Sequence, residues 1–220
     1  MKLYDHLLQF PMFQGLSRTE LQQMAGNTKF GFLKMEPGCQ LIADSMLCDT
    51  LYFLVGGRLT VTTQSDDHGY SVTEQLSAPW MLQPEALFGL SPRYTCTVST
   101  ATAAHFITLS KDEVLRLLDD FLIIRLNLLN LLATIAQRRT RIAWHRSPQT
   151  LRDRIVRFIT DHCIYPAGQK EVKIMMERLA RELNDSRLDV SRALNAMQAD
   201  GLLVLHRGRI EVPSLERLFM

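Results

Sequence analysis

No run of the roughly 18 apolar residues that a membrane span requires occurs in this chain. The most apolar stretch, Phe121 to Ala136, is broken by Arg125, Asn127 and Asn130. The N-terminus, MKLYDHLLQFPMF, lacks the charged start, long apolar centre and small-residue cleavage site of a secretory signal. A cytoplasmic protein with no membrane partner is expected. Cysteine is scarce: Cys39, Cys48, Cys96 and Cys163 are scattered, with no C-x-x-C pair and no His at zinc-ligand spacing. That pattern reads as incidental or buried thiols in a reducing compartment. It offers no cluster of converging thiolates for iron and sulfur, so neither a metal nor an iron–sulfur cofactor is expected. His6, His68 and His105 read as surface or packed histidines.

What is present is a globular composition. The 220 residues, 25.2 kDa, are 46% hydrophobic and 22% charged, enough for one large domain or two small ones. The net charge of +2 hides an asymmetry. Residues 1–110 hold 6 Lys/Arg against 9 Asp/Glu, and residues 111–220 hold 19 against 14. A basic C-terminal half suits an anionic partner, nucleic acid first.

The texture changes twice along the chain. Leu3, Leu7, Leu8 and Phe10 give a short helical face ended by Pro11, and Ser17-x-x-Glu20 forms a capping box before Leu21 and Met24. From Phe30 to Leu109, short runs rich in Thr, Val, Tyr, Phe and Leu alternate with turn residues. Leu51–Val55, Arg58–Thr62 and Tyr70–Leu76 read as strands, with Ser65–Gly69 as a hairpin loop. Many short strands at regular spacing predict a sandwich or jelly-roll barrel. A jelly-roll oxygenase would need a His/Glu metal set, and His68, Glu74, Glu85 and His105 lack the spacing, so no enzyme is expected.

After Ser110, which opens a second capping box with Glu113, the pattern is helical. Phe121–Trp144 is apolar over too much of its surface for one small barrel to cover. It is either a helix buried within one domain or, as we favour from its place between two domains, a seam against a second copy of the chain. Ser147-Pro148 marks the next helix start, and the boundary falls between about Ala143 and Pro148.

Met175 to Val212 is the most specific stretch. Met176, Leu179, Ala180 and Leu183 share one face of a short helix, Asn184-Asp185 forms a break, and Ser186 caps a second helix with Asp189 three residues on. On that helix Val190, Ala193, Leu194 and Met197 share one side. Arg187, Leu188, Ser191, Arg192 and Asn195 share the other. Arginine is the best bidentate reader of guanine and asparagine of adenine, and a helix N-terminus with Ser186 suits a phosphate. An amphipathic surface helix with solvated arginines would look the same. The residues beyond it decide for a recognition helix: Asp200-Gly201 stops it, and Leu202–Leu205, the basic turn His206–Arg209 and Ile210–Val212 form a hairpin. Helix, turn, helix and basic hairpin is a winged helix-turn-helix, with Arg207 and Arg209 of the wing on phosphate.

The chain thereby resembles the Crp/Fnr superfamily of bacterial transcription regulators over nearly its whole length. The resemblance is strongest at Leu179-Ala-Arg-Glu-Leu183, Asn184 to Arg192, Leu194 and Asp200-Gly-Leu202, and looser at Pro11-Met-Phe13, Gly15-Leu-Ser17, Pro37-Gly38 and Leu51 to Gly57. It implies an α+β protein with an N-terminal double-stranded β-helix (jelly-roll) sensor domain at 1–115. A dimerisation helix and hinge would follow at 116–146, and a winged helix-turn-helix domain at 147–220. It implies base reading by Arg187 and Arg192. The residue between them that is commonly Glu in the family is Leu188 here, so the preferred DNA should differ. It further implies a homodimer on a near-palindromic double-stranded operator, and RNA polymerase as a partner.

The ligand site departs from the family. Cyclic-nucleotide binders carry F-G-E-L-A-L and then R-[ST]-A; here the stretch reads Leu82-Gln-Pro-Glu-Ala-Leu-Phe88 and Arg93-Tyr-Thr-Cys-Thr97. Glu85 survives, next to Ala86. The Gly is Pro84, which has no N–H, and the Arg position, aligned through Thr95, is Tyr94. Arg93 is one residue off and would face the other way on a strand. Either the roll holds an unknown small-molecule effector other than cyclic AMP, or it is vestigial and only supports dimerisation. A cyclic-nucleotide-sensing module without DNA function is the alternative, and it leaves the basic helix and wing unexplained.

Overall fold

The computed structural model describes residues 3–142, 144 and 148–219. In chain order the elements are α1 Leu3–Leu7, α2 Arg18–Asn27, β1 Gly31–Met35, β2 Gln40–Ile42, β3 Thr50–Gly56, β4 Arg58–Gln64, β5 Tyr70–Ser77, β6 Trp80–Met81, β7 Thr97–Thr100, β8 Ala104–Ser110, α3 Lys111–Asp120, α4 Leu122–Ile142, α5 Leu151–Asp161, β9 Lys170–Ile174, α6 Met176–Glu182, α7 Arg187–Ala199, β10 Val204–His206 and β11 Arg209–Val212. The antiparallel β-roll and the helix-turn-helix are both present. The chain forms two compact units. One comprises residues up to Leu59 with Ser77–Thr95 and Ser99–Trp144; the other comprises Thr60–Leu76, Cys96–Val98 and the C-terminal residues.

In the first unit, β1, β8, β3 and β6 lie side by side in that order. Phe53 opposes Ile107 and Leu54 opposes Phe106, with a register shift before Gly56. The alternation buries Leu51 and Phe53. Phe10 meets Phe53 edge-on at 5.0 Å and Phe13 lies 5.4 Å from it, which ties the N-terminal turn to the sheet. Ser17 and Glu20 make the full reciprocal box at the start of α2. At α3 only half of the expected box forms. Ser110 accepts from the Glu113 N–H, but the buried Glu113 carboxylate takes the Lys29 N–H and Arg116 instead.

The polar residues that interrupt the Phe121–Ala136 run have structural partners. The Arg125 Nε–H donates to the Leu118 carbonyl at 2.6 Å, satisfying an end carbonyl of α3. The Asn127 amide donates to the carbonyls of Met12 and Gln14 at 3.2 and 2.8 Å. α4 therefore has one side packed, with Ile124 and Leu128 buried, and another open, with Leu122, Leu126 and Leu129 exposed.

In the second unit, β10, β11, β9, β5, β4 and β7 follow one another in one sheet. β9 has no counterpart among the strands read from the sequence; the stretch after Gly168 pairs antiparallel with β5, Val172 opposite Val72 and Lys170 opposite Glu74. Val72, Ile155, Ile159, Val172, Leu179, Val190, Leu194 and Val212 share one buried cluster. The Tyr70 ring packs 5.4 Å from Phe158, and its hydroxyl lies 3.0 Å from His162 Nε2. The start of α5 differs from expectation: Thr150 is the cap, accepting from the Asp153 N–H, so Pro148 precedes the helix. Of the residues named for the domain boundary, Ala143 and Ser147 lie outside the described residues.

Candidate nucleic-acid interface

The turn between α6 and α7 is built as the residues suggest. Asn184 takes a left-handed conformation, φ 49°, which reverses the chain without a glycine. Arg154 of α5 holds the turn from behind, donating to the Leu183 carbonyl at 2.7 Å and pairing with Asp185. The Ser186 N–H, and then Arg154, hold the Asp185 carboxyl below the usual carboxylate range. No local pattern marks Arg154 for this role, because its partners lie about thirty positions away.

The Ser186 hydroxyl accepts from the Asp189 N–H at 3.1 Å and donates to the Asp189 carboxylate at 2.7 Å. The reciprocal box is therefore incomplete, since the Ser186 N–H goes to Asp185. A phosphate at this helix end would meet a hydroxyl already engaged. α7 then divides as its periodicity requires. Val190, Leu194 and Met197 are almost fully buried, while Arg187, Leu188, Arg192 and Asn195 are exposed and Ser191 is half-buried. Arg187 lies 3.9 Å from Glu177 and Arg192 3.4 Å from Asp189, loose surface pairs that cost little to exchange for another anion. The Asn195 amide donates to the Ser191 carbonyl at 2.8 Å.

The wing is tighter than expected. β10 and β11 leave only Arg207 and Gly208 as the turn, with Gly208 at φ 72°. Arg207 is exposed and makes no ion pair among the described residues. Arg209 is a strand residue, placed 2.9 Å from Glu211 and 3.4 Å from Glu171, so its charge is already matched.

In the first unit, the polar residues expected to line an effector pocket each have a partner within the fold. Ala86 is buried in a short 3-10 turn after Gln83, and Glu85 lies 3.4 Å from Arg139 of α4. Sequence reading missed Arg139, which lies on a separate helix. Tyr94 is buried in the core; its hydroxyl donates to the Thr50 carbonyl, and burial pushes its phenol well up. Arg93 is exposed and donates to the Ser45 carbonyl at 2.7 Å. Thr95 exchanges two hydrogen bonds with the Gln83 side chain. A groove of about 360 Å³ on this unit is bordered by Leu3, His6, Phe32, Lys34 and His105 and by none of Glu85, Ala86, Arg93, Tyr94 and Thr95. Among the described residues no three His, Cys, Asp or Glu side chains gather to hold a metal, and no helix is long and apolar enough to cross a membrane.

Residues 153–219 match the family of the Crp-like helix-turn-helix domain. No curated protein matches the sequence. Among solved structures, the Thermus thermophilus Catabolite Activator Protein is 20% identical, with 96% of this chain and 97% of that one covered at a TM-score of 0.55. The sensor domain of the transcriptional regulator DNR from Pseudomonas aeruginosa is 17% identical, with 66% and 94% covered at a TM-score of 0.52. At these identities the structures speak for the fold, and the sequence match speaks for the C-terminal domain. Together they show a Crp-like helix-turn-helix domain at residues 153–219, in a chain whose fold is similar to that of the Catabolite Activator Protein.

Proposed function

We propose that the protein works in the cytoplasm as a homodimer that sets α7 into successive major grooves of a near-palindromic operator and meets RNA polymerase there. In this reading residues 1–115 form the β-roll, 116–146 the dimerisation helix and hinge, and 147–220 the DNA-binding domain. The observation that carries it is the division of α7: a fully packed side on the core and Arg187, Arg192 and Asn195 on the open side, held by partners they can leave. Arg187 and Arg192 read bases, while Ser191 and Asn195 complete the reading face. Phosphate contact falls chiefly to Arg207. Ser186 and Arg209 lie beside the backbone with their polar groups already partnered.

Dimerisation is supported by the open side of α4. Leu122, Leu126, Leu129, Ala133 and Ala136 are exposed at spacings of four and three. That is the seam of a two-stranded coiled coil, and the alanines permit close approach.

Cyclic AMP is not the effector in this reading. A buried cyclic phosphate needs a paired cation and N–H groups. Tyr94 is committed to the core, Pro84 has no N–H, Arg93 faces Ser45, and Glu85 faces Arg139. The test is selection of duplexes from a random library by the purified protein. Recovery of an inverted repeat with half-sites about 10 base pairs apart, or a multiple of that turn, is expected. Recovery of no common sequence would reject sequence-specific binding.

A further inference from the structure

The reading face of α7 carries one residue that neither the core nor hydrogen bonding explains. Leu188 is 59% exposed in the first turn of the helix. At 100° per residue, the buried Val190, Leu194 and Met197 centre about 180° from a line that runs between Leu188 and Arg192. Leu188 thus stands almost as far from the core as a residue on this helix can. Its neighbours on that face, Arg187, Ser191, Arg192 and Asn195, all carry polar groups. A leucine gains nothing from water at that point, and it can neither donate nor accept a hydrogen bond. Single exposed apolar residues are common on protein surfaces, so exposure alone would mean little. Here the residue sits within a base-reading face, at the helix end whose residues reach base edges.

One group in the major groove matches it. The floor of that groove is made of donors, acceptors and a single apolar feature, the thymine C5-methyl. Resting on our proposal that α7 enters the major groove, we infer that Leu188 is a specificity-determining residue that covers a thymine methyl in each half-site. It selects T·A there by apolar contact and discriminates against cytosine, whose exposed N4–H₂ would lose water beneath a leucine without gaining an acceptor.

The experiment uses the full-length protein and the operator it selects from a random library. Each thymine is replaced in turn by uracil, which removes the methyl and leaves every hydrogen-bonding group unchanged. Wild-type protein should lose about fourfold affinity per half-site at one symmetry-related thymine pair, the size of one buried methyl group. Leu188→Ala should melt at the wild-type temperature, since the side chain is exposed, and should bind thymine and uracil versions of that pair equally. Leu188→Glu should move the preference at that pair toward C·G, because a carboxylate accepts from cytosine N4. Equal wild-type affinity for thymine and uracil at every position overturns the inference. So does a methyl effect that persists unchanged in Leu188→Ala. In both cases specific binding survives, which separates this failure from failure of the DNA-binding reading, where no operator is recovered at all.

Discussion

Glu74 and Lys170 face each other across β5 and β9 and form an ion pair of 2.7 Å with side-chain exposures of 1% and 0%. The same carboxylate accepts the N–H groups of Ile164 and Tyr165 at 2.7 and 3.1 Å. The Lys170 ammonium also lies 5.6 Å from the centre of the Tyr165 ring. Each charge alone would be expensive so far from water, and the geometry lets each cancel the other's cost. Lys170 sits on the strand that leads directly into α6, so the pair anchors the base of the helix-turn-helix to the β4–β5 hairpin. A second contact supports the same join: Arg178 of α6 pairs with Asp67 at the hairpin tip at 2.7 Å.

Lys170→Met should therefore destabilise the protein by about 3–5 kcal/mol, because it strands a buried carboxylate. Glu74→Gln combined with Lys170→Met should recover part of that loss. The amide oxygen can still accept from one of the Ile164 and Tyr165 N–H groups, which bond different oxygens of the carboxylate, and no charge remains. Urea denaturation of the single and double variants measures both values. A Lys170→Met midpoint equal to wild type would mean that the pair contributes nothing.

On the selected operator, Arg187→Ala and Arg192→Ala should each cost about 1–3 kcal/mol and relax preference at their base positions. Arg207→Ala should weaken all sequences alike and flatten the dependence of affinity on salt. Arg209→Ala should change the salt slope less, because Glu171 and Glu211 already neutralise that guanidinium. Binding titrations on cognate and scrambled duplexes at several salt concentrations distinguish these outcomes. Equal losses on both duplexes for Arg187 and Arg192 would remove them from base reading.

The open face of α4 should be a self-association surface. Sedimentation at micromolar concentration should return roughly twice the 25.2 kDa chain mass. Leu126→Lys with Leu129→Lys should return the single mass, since facing lysines would repel in the seam. A wild-type monomer that still binds a full operator tightly would contradict the dimer.

Calorimetric titration with cyclic AMP and cyclic GMP should show no micromolar binding. Loss of a buried charge-assisted pair costs about 2–5 kcal/mol, which moves a micromolar site to roughly tens of micromolar or millimolar. Micromolar binding that disappears in Arg93→Ala would show that Arg93 turns inward and that the roll senses nucleotides.

Asp185 predicts a pH dependence whose sign is set. Its folded carboxyl binds a proton less readily than in the unfolded chain, because the Ser186 N–H and Arg154 favour the charged form. The stabilisation is complete above the ordinary carboxylate pKa of about 3.9 and is lost as pH falls toward the folded value. Asp185→Asn should make acid unfolding less steep below about pH 4, as followed by circular dichroism. An unchanged acid profile would mean that other carboxylates govern it.

The parts legible from the sequence are those whose instructions lie within a few residues. The two faces of α7, the Asn184 turn, the Ser17 box and the β4–β5 hairpin follow from side chains three or four apart on a helix, two apart on a strand, or adjacent in a turn. Local sterics and hydrogen bonds suffice to choose among so few arrangements. β9 escapes such a reading for the opposite reason. Val172 and Ile174 alternate as a strand should, but Lys170 at the next inward position reads as a surface residue until Glu74 is brought against it from 96 positions away. Arg125 and Asn127 likewise look like interruptions of an apolar helix, yet their donors satisfy carbonyls of Leu118, Met12 and Gln14. Arg207 and Arg209 are indistinguishable in the sequence, and strand pairing leaves one exposed and places the other between two glutamates. A polar side chain announces only that it needs a partner. Which one it receives depends on chain segments that meet only when the core closes, and that choice belonged to the tertiary structure alone.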